Sequence, residues 1–264
     1  MGLVRASHPD AVLAVTVLAV ALAVAAGRGW AALVVASAVG LGHLAVGWSN
    51  DWIDLPRDRA RGRTDKPIAT GQLGTRTVAV AIAVALLAHL GLILLSGIPA
   101  TLTLLGAEAM ALAYNLGLKD LPVSVLAFAF SFGLAPAVIT LGLTPPRLPA
   151  AWVVAAAVLL GIAGHLTQVL GDIPEDRRLH NRGLPQLLGS TASSVVAALS
   201  MTTAGVCVAL GTGLWAVVLL AGVPAAGSLL AARTAHPQLA FRLTLVAALA
   251  VMGGVLVGGR RLVA

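Results

Sequence analysis

The sequence predicts an all-α integral membrane protein with about nine transmembrane helices, which form a single polytopic domain over residues 1–264. Hydrophobic residues make up 59% of the chain and charged residues only 10%, whereas a typical soluble domain carries about 25% charged residues. A globule of this size could not bury so many apolar helices, so we expect a lipid bilayer to surround them. The apolar runs lack period-2 alternation, which favours helices over a membrane barrel.

Polar, Pro and Gly residues divide the chain into apolar segments of about 20 residues, the length that crosses a bilayer core. The first segment is interpreted as a span and not as a removable signal, because no small-residue cleavage site with a polar mature domain follows it. The longest polar connections are 51–75 and 172–190. The expected spans are 10–26, 30–50, 76–96, 99–117, 121–142, 150–171, 191–210, 213–232 and 238–258.

Basic residues fall mainly on one side of this arrangement. With the N-terminus inside, thirteen of the 17 Lys and Arg residues lie on one side and four on the other. Such an excess marks cytoplasmic loops, so we expect both long connections to face the cytoplasm of a cell-membrane protein. The net charge of +7 is then explained by topology and an anionic ligand rather than by nucleic acid.

Both long connections begin with nearly the same acidic phrase, although the chain has only 10 acidic residues. The first phrase reads "DLPRDR" from Asp54, and the second reads "DIPEDR" from Asp172. They follow the second and the sixth span, which are four spans apart. This position predicts two related four-helix halves around a central cavity, with the first helix added.

The first phrase and the residues before it place oxygen atoms on one face of a helix. Asp51, Asp54 and Asp58 are spaced at i, i+3 and i+7, and Asn50 precedes Asp54 by four residues. Carboxylates at this spacing repel one another, so the pattern gains stability only when a cation binds. Hard oxygen ligands without Cys or His favour Mg²⁺, completed by water and phosphate oxygens.

The second phrase contains an i,i+4 pair, Asp172 and Asp176, and Gln168 continues the face of Asp172 one turn earlier. Pro56 and Pro174 each stand between paired aspartates and should kink or end the helix there. Two carboxylate clusters on opposing helices can hold two Mg²⁺ ions, with a diphosphate between them. Basic residues suit the diphosphate oxygens. The candidates are Lys66, Arg61, Arg63, Lys119, Arg177 and Arg182.

In these motifs the chain resembles the UbiA-type superfamily of intramembrane prenyltransferases. That family is marked by Asn-Asp-x-x-Asp-x-x-x-Asp after helix 2 and Asp-x-x-x-Asp after helix 6. The segment "GRTDKPIATG" is similar to its Arg-Pro-Ile-Pro-x-Gly text with Lys66 in the place of Arg, and "YNLGLKD" to its Tyr-x-x-x-x-Lys text. The segment "EDRRLHNRGLPQLLG" is similar to the continuation of the second motif, so the match spans most of the chain.

The resemblance implies that two Mg²⁺ hold an isoprenyl diphosphate, that ionisation yields an allylic carbocation, and that a small aromatic acceptor attacks it. The isoprenyl tail would lie between the helices, where Phe128, Phe130, Phe132 and Trp152 could shield the cation from water. The implied catalytic residues are Asp54, Asp58, Asp172 and Asp176. The implied metal ligands are Asn50, Asp51, Asp54, Asp58, Asp172 and Asp176. The candidate substrate-binding residues are Lys66, Tyr114, Asn115, Lys119, Arg177, Arg182 and Gln168.

Two other functions remain open at this point. The same scaffold could act as a terpene cyclase or diphosphate lyase without an external acceptor. A non-enzymatic transporter is disfavoured because the carboxylates lie at the ends of spans rather than in their middles. Glu108 lies inside the fourth span, where a charge is costly unless it is paired or lines a cavity, so it is either a structural partner or a substrate contact. We interpret His89 as a satisfied core residue.

Overall fold

The computed structural model describes residues 2–7, 9–178, 182–234 and 236–264. Over these residues the chain forms α-helices and short 3-10 turns, with one isolated bridge between Pro149 and Val263, so the all-α prediction is confirmed. The helices are α1 Gly2–Ala6, α2 Pro9–Ala25, α3 Ala31–Ile53, α4 Leu55–Ala60, α5 Thr75–Leu94, α6 Ile98–Asn115, α7 Val125–Thr140, α8 Ala151–Gln168, α9 Ile173–Arg178, α10 Leu184–Thr212, α11 Ala216–Arg233 and α12 Pro237–Gly258.

Each expected span corresponds to one long helix, and most helix ends lie within a few residues of the expected ones. Six of the helices, α3, α5, α8, α10, α11 and α12, are long and apolar enough to cross a membrane by length and composition. Shorter apolar helices occur at Val12–Ala25 and Val125–Thr140. The helical positions are therefore confirmed, whereas the count of nine transmembrane spans stays a prediction.

The outer surface of the bundle is apolar, as a lipid environment requires. Leu87, Leu210 and Leu249 are 70–72% exposed, an arrangement that water would penalise and hydrocarbon does not. The helices approach one another at small residues, which is how helices pack without a hydrophobic driving force. At Gly161 of α8, a Cβ would lie 2.5 Å from the carbonyl oxygen of Phe128, so this glycine brings α7 and α8 close together.

Both proline-containing phrases interrupt their helices. α3 ends at Ile53, Asp54 forms a turn with φ −79° and ψ −2°, and Pro56 lies in the first turn of the short helix α4. Likewise α8 ends before Asp172, and Pro174 lies in the first turn of α9. The expected break is therefore confirmed at the first phrase, whereas the helix before the second phrase ends earlier than expected, at Gln168. The first phrase does not form one continuous helical face, because its acidic residues are divided between α3, a turn and α4.

The seventh long helix begins earlier than the sequence suggested. The expected span starts at 191, whereas α10 starts at Leu184 and bends at Gly189, whose backbone has φ 82° and ψ 170°. Only glycine adopts this left-handed conformation without strain, so the bend lets the first turn of α10 lie apart from the direction of the main helix. That first turn carries Gln186 to the end of the bundle where the two acidic phrases meet.

Candidate active site

A polar cavity of about 180 Å³ lies where the ends of α3, α6 and α8 meet the two long connections. Side chains from both acidic phrases contribute to its wall, although the phrases are more than 100 residues apart. Carboxylates and cations face the same space, so the cavity is suited to a ligand that carries several charges. The lining residues are Asn50, Asp54, Arg57, Asp58, Arg61, Arg63, Lys66, Tyr114, Lys119, Asp120, His165, Val169, Asp172, Asp176 and Gln186.

Asp54 in the turn after α3 faces a lysine from the connection between α6 and α7. The Nζ atom of Lys119 lies 2.5 and 2.6 Å from the two carboxylate oxygens of Asp54. Gly117 reverses the chain with φ 136° after α6, and a 3-10 turn over Leu118–Asp120 then directs the lysine towards the cavity. Both side chains are mostly buried, so this ion pair is only weakly screened by solvent.

A second lysine joins the other two acidic residues of the first motif. Nζ of Lys66 lies 2.9 Å from Oδ1 of Asp51 and 2.9 Å from Oδ2 of Asp58. The two carboxylate side chains are only 2% and 4% exposed. Burial by itself would lower the pKa of Lys66, but the hydrogen bonds and charges of Asp58 and Asp51 outweigh it and raise that pKa. The ammonium group therefore stays charged.

The second phrase is tied to the first connection by an arginine. Nη2 of Arg61 lies 3.0 Å from Oδ1 of Asp176, and Nε2 of Gln186 donates to Oδ2 of the same carboxylate at 2.8 Å. Partial burial and the neighbouring charge of Asp176 raise the pKa of Asp172, while the nearby charges of Arg63 and Arg61 act in the opposite direction. A carboxyl pair that repels itself in this way is the kind of site that a cation stabilises.

An aromatic cluster forms one side of the cavity. The rings of Phe128 and His165 are stacked with centroids 4.7 Å apart, and Tyr114 meets both rings edge-on at 5.2 and 5.6 Å. Oγ of Ser124 accepts a hydrogen bond from the backbone N–H of Leu184 and lies 3.1 Å from Nε2 of His165. The cluster is thereby linked to the first turn of α10.

The apolar interior continues from this cluster between the helices. Phe132 stacks on Phe128 with a centroid distance of 6.3 Å and also lines a small apolar pocket that includes Leu22 and Leu160. Phe130 is 47% exposed on the outer surface. Trp152 lies at the far end of α8 and donates to the carbonyl of Arg261. Of the four aromatic residues considered from the sequence, only Phe128 and Phe132 lie along this path.

Several predicted site residues lie behind or outside the cavity wall. Asp51 is buried behind the wall in its ion pair with Lys66. Asn115 accepts from Nδ2 of Asn50 at 3.1 Å and donates to the Val46 carbonyl at 3.0 Å, so it holds Asn50 in place from behind.

The remaining three candidates point elsewhere. Arg177 donates to the carbonyl oxygens of Gln186 at 2.6 Å and Leu187 at 3.4 Å, so its guanidinium supports the start of α10. Arg182 and Gln168 are exposed and do not belong to the cavity wall. For Gln168, the spacing to the motif did not reveal this, because the turn after α8 redirects the chain between Gln168 and Asp172.

The cavity also contains residues that sequence reasoning did not single out. Arg57 donates to both carboxylate oxygens of Asp120, at 3.4 and 3.1 Å, and both residues line the wall. Gln186 completes the environment of Asp176. Arg57 could have been found from the sequence, because it stands where the first acidic phrase has Arg and the second has Glu. Gln186 has no sequence signal beyond its place in the segment that resembles the continuation of the family's second motif.

The donor atoms in this cavity fit a hard divalent cation such as Mg²⁺, because they are carboxylate and amide oxygens from two opposing connections. Among the described residues, no three His, Cys, Asp or Glu side chains are gathered closely enough to hold a metal ion. Four of the motif aspartates are instead paired with cations: Asp54 with Lys119, Asp176 with Arg61, and both Asp51 and Asp58 with Lys66. Metal binding therefore requires the charged side chains to rearrange.

The structural comparisons agree with this architecture. The chain is similar to an apo UbiA homologue from Aeropyrum pernix K1, with a TM-score of 0.76 and 20% identity, over 92% of this chain and 97% of that chain. It is similar to a digeranylgeranylglyceryl phosphate synthase in membranes, with a TM-score of 0.71 and 14% identity over 99% and 98%. It is also similar to a UbiA homologue from Archaeoglobus fulgidus bound to GPP and Mg²⁺, with a TM-score of 0.66 and 16% identity over 97% and 99%.

At these identities the likeness establishes a shared fold. No curated protein matches the chain. The sequence itself matches the UbiA prenyltransferase family over residues 12–240, which is most of its length. Together with the long apolar helices, this match identifies a multi-pass membrane protein. The chain belongs to the UbiA prenyltransferase family.

Proposed function

We propose that this protein is a Mg²⁺-dependent membrane prenyltransferase that moves an isoprenyl group from an isoprenyl diphosphate to a small acceptor. The observation that carries the proposal is the cavity itself, in which two acidic phrases and at least four cationic side chains face one space beside an aromatic cluster. A diphosphate with its metal ions needs both signs of charge, whereas an isoprenyl tail needs an apolar neighbour. The cavity offers both.

The aspartates that line the cavity would hold Mg²⁺, and Asn50 would add an amide oxygen. When bound, the metal would neutralise the charge that develops on the departing diphosphate. Lys119, Arg61, Arg63 and Arg57 line the same wall and would donate to diphosphate oxygens, Arg through its fork and Lys as a point charge. These donors orient the diphosphate and stabilise it as a leaving group, because their charges are directed at the atoms that become more negative.

The aromatic cluster would receive the reacting end of the isoprenyl group. The C–O bond to the diphosphate breaks with its electron pair on the oxygen. An electron pair of the acceptor then forms the new bond to the carbon, and the acceptor loses a proton to the solvent. Tyr114 lines the cavity and Phe128 packs edge-on against it, and a cation near such a ring gains about 0.5–2 kcal/mol. The apolar path along Phe132 would exclude water from the tail.

Purified protein incubated with a panel of isoprenyl diphosphates and acceptors, followed by mass spectrometry, tests this proposal. We expect a prenylated acceptor and pyrophosphate release that depends on the acceptor. Pyrophosphate release at the same rate without acceptor would favour the cyclase or lyase, and flux across sealed vesicles would favour the transporter. Asp176→Asn should lose most of this transfer, whereas the matched control Glu175→Gln should retain it, because Glu175 is the neighbouring acid but is exposed and outside the cavity wall.

A further inference from the structure

The positions of the two lysines in the cavity indicate how the site is held before a ligand binds. Nζ of Lys66 is equidistant from Asp51 and Asp58, at 2.9 Å from one oxygen of each. This bridging position between two buried carboxylates is one that a cation of higher charge would also favour. Lys119 approaches both oxygens of Asp54 in the same way, at 2.5 and 2.6 Å. The two ammonium groups thus form ion pairs with carboxylates of the first acidic motif.

Buried carboxylates need such partners. An ionised carboxyl group that loses its counter-charge in a buried site is strongly destabilised, and the Asp51 and Asp58 side chains are almost fully buried. A divalent ion and an ammonium group cannot both sit against the same carboxylate oxygens, because they repel each other. Metal binding at these aspartates therefore displaces the lysines or is opposed by them.

Both lysines have an alternative position. Each lines the cavity, and each has a flexible four-carbon stem that can stay packed while the charged end moves. A diphosphate brought into the cavity supplies new oxygen acceptors for the displaced ammonium groups. A metal ion arriving without a diphosphate supplies none.

We propose that Lys66 and Lys119 are internal counter-ions that compete with divalent metal for the aspartates and are released onto the diphosphate when metal and diphosphate bind together. The inference rests on the proposed function, since it takes the diphosphate as the natural ligand. It goes further, because it makes the two lysines inhibitors of metal binding as well as ligands of the substrate. The consequence is coupling: each ligand raises the affinity for the other by the same factor.

The test measures metal binding without any isoprenyl substrate. Mn²⁺ is titrated into purified wild-type, Lys66→Met and Lys119→Met proteins and followed by electron paramagnetic resonance, first alone and then with inorganic diphosphate. A charge-assisted contact is typically equivalent to about tenfold or more in affinity. We expect Mn²⁺ alone to bind about tenfold more tightly to each variant than to wild type. The enhancement of Mn²⁺ binding by diphosphate should shrink in both variants.

Arg59→Gln is the matched control, because it also removes one positive charge, but from an exposed residue of α4 that lies outside the cavity wall. If Mn²⁺ binding became equally tighter in all three variants, a general loss of positive charge would explain it and the proposal would be overturned. An unchanged or weaker Mn²⁺ affinity in a folded Lys119→Met protein would also overturn it. Lys119→Met keeps the proposal testable if Lys66→Met does not fold. Asp54 is less buried than Asp51, so the Lys119→Met protein is expected to fold. Absence of prenyl transfer by the wild type is a separate result, which bears on the proposed function alone.

Discussion

A methyl group added at Gly42 should destabilise the fold modestly, because α3 approaches a polar pair of side chains at this residue. A Cβ on Gly42 would overlap Oε1 of Glu108 on α6. Oε2 of Glu108 lies 2.9 Å from Nε2 of His89 on α5, and Nδ1 of His89 lies 2.9 Å from the Ala38 carbonyl of α3. Since a carbonyl only accepts, Nδ1 of His89 carries a hydrogen and Nε2 faces the carboxylate of Glu108. The three helices are linked through this pair.

The change in the free energy of unfolding caused by Gly42→Ala follows from two opposing effects. Alanine is favoured over glycine in a helix by about 1 kcal/mol, and loss of a hydrogen bond to a charged group costs about 1.5–3 kcal/mol. The carboxylate end of Glu108 is flexible and can move aside, so only the contact with His89 is lost. The expected net destabilisation is about 0.5–2 kcal/mol. Equilibrium unfolding in mixed detergent micelles measures it.

Gly91→Ala is the control, since a Cβ there meets no atom within 4 Å, and it should be neutral or stabilise α5 by up to about 1 kcal/mol. Adding Glu108→Ala to Gly42→Ala removes the overlap, so Gly42→Ala should cost less in the Glu108→Ala background than in the wild type. If Gly42→Ala and Gly91→Ala proteins proved equally stable, the pairing of Glu108 with His89 would not hold the helices together. The structure favours the structural role for Glu108, because this residue does not line the cavity.

Three further predictions concern the site, and a fourth concerns the topology. Asp54→Asn and Asp172→Asn should each abolish most product formation while the protein still folds. The double variant should be little worse than either single variant, and full activity of either single variant would contradict this. Activity should disappear with EDTA and return with Mg²⁺, whereas metal-independent pyrophosphate release would refute the role of the aspartates. Lys119→Ala should raise the donor KM by about tenfold or more, because Lys119 faces the cavity, whereas Arg182→Ala should change it little. A cysteine at residue 64, in a background without the native cysteine, should label from outside intact cells less readily than one at the C-terminus.

Much of the architecture follows from local properties of the sequence. Apolar runs of about 20 residues specify membrane helices independently of the rest of the fold, because the bilayer requires a similar length and an apolar composition of every helix that crosses it. Pro56 disfavours a continuous helix through its ring and missing N–H, so the break at the first phrase could be predicted, whereas α8 already ends at Gln168, before the second phrase begins. The repeated acidic motif identified the end of the bundle at which the site lies. The resemblance to the UbiA-type superfamily is carried by the same residues.

The partners of the charged side chains were decided by the tertiary structure. The i, i+3, i+7 spacing from Asp51 to Asp58 suggested a shared helical face, but the turn at Asp54 divides it, and Lys66 joins the outer two residues instead. Arg61 pairs with Asp176, which lies 115 residues further along the chain. No local pattern encodes such a contact.

Three placements show the same limit. Arg177 belongs to the second motif by sequence, yet its guanidinium binds backbone carbonyls at the start of α10. Asn115 lies behind the wall, where it holds Asn50, and Gln186 enters the wall because α10 bends at Gly189. Residue type and spacing determine what a side chain can bind. Which atoms it meets depends on how helices and turns distant in sequence are packed, because a charge pairs with whatever opposite charge lies within reach in space.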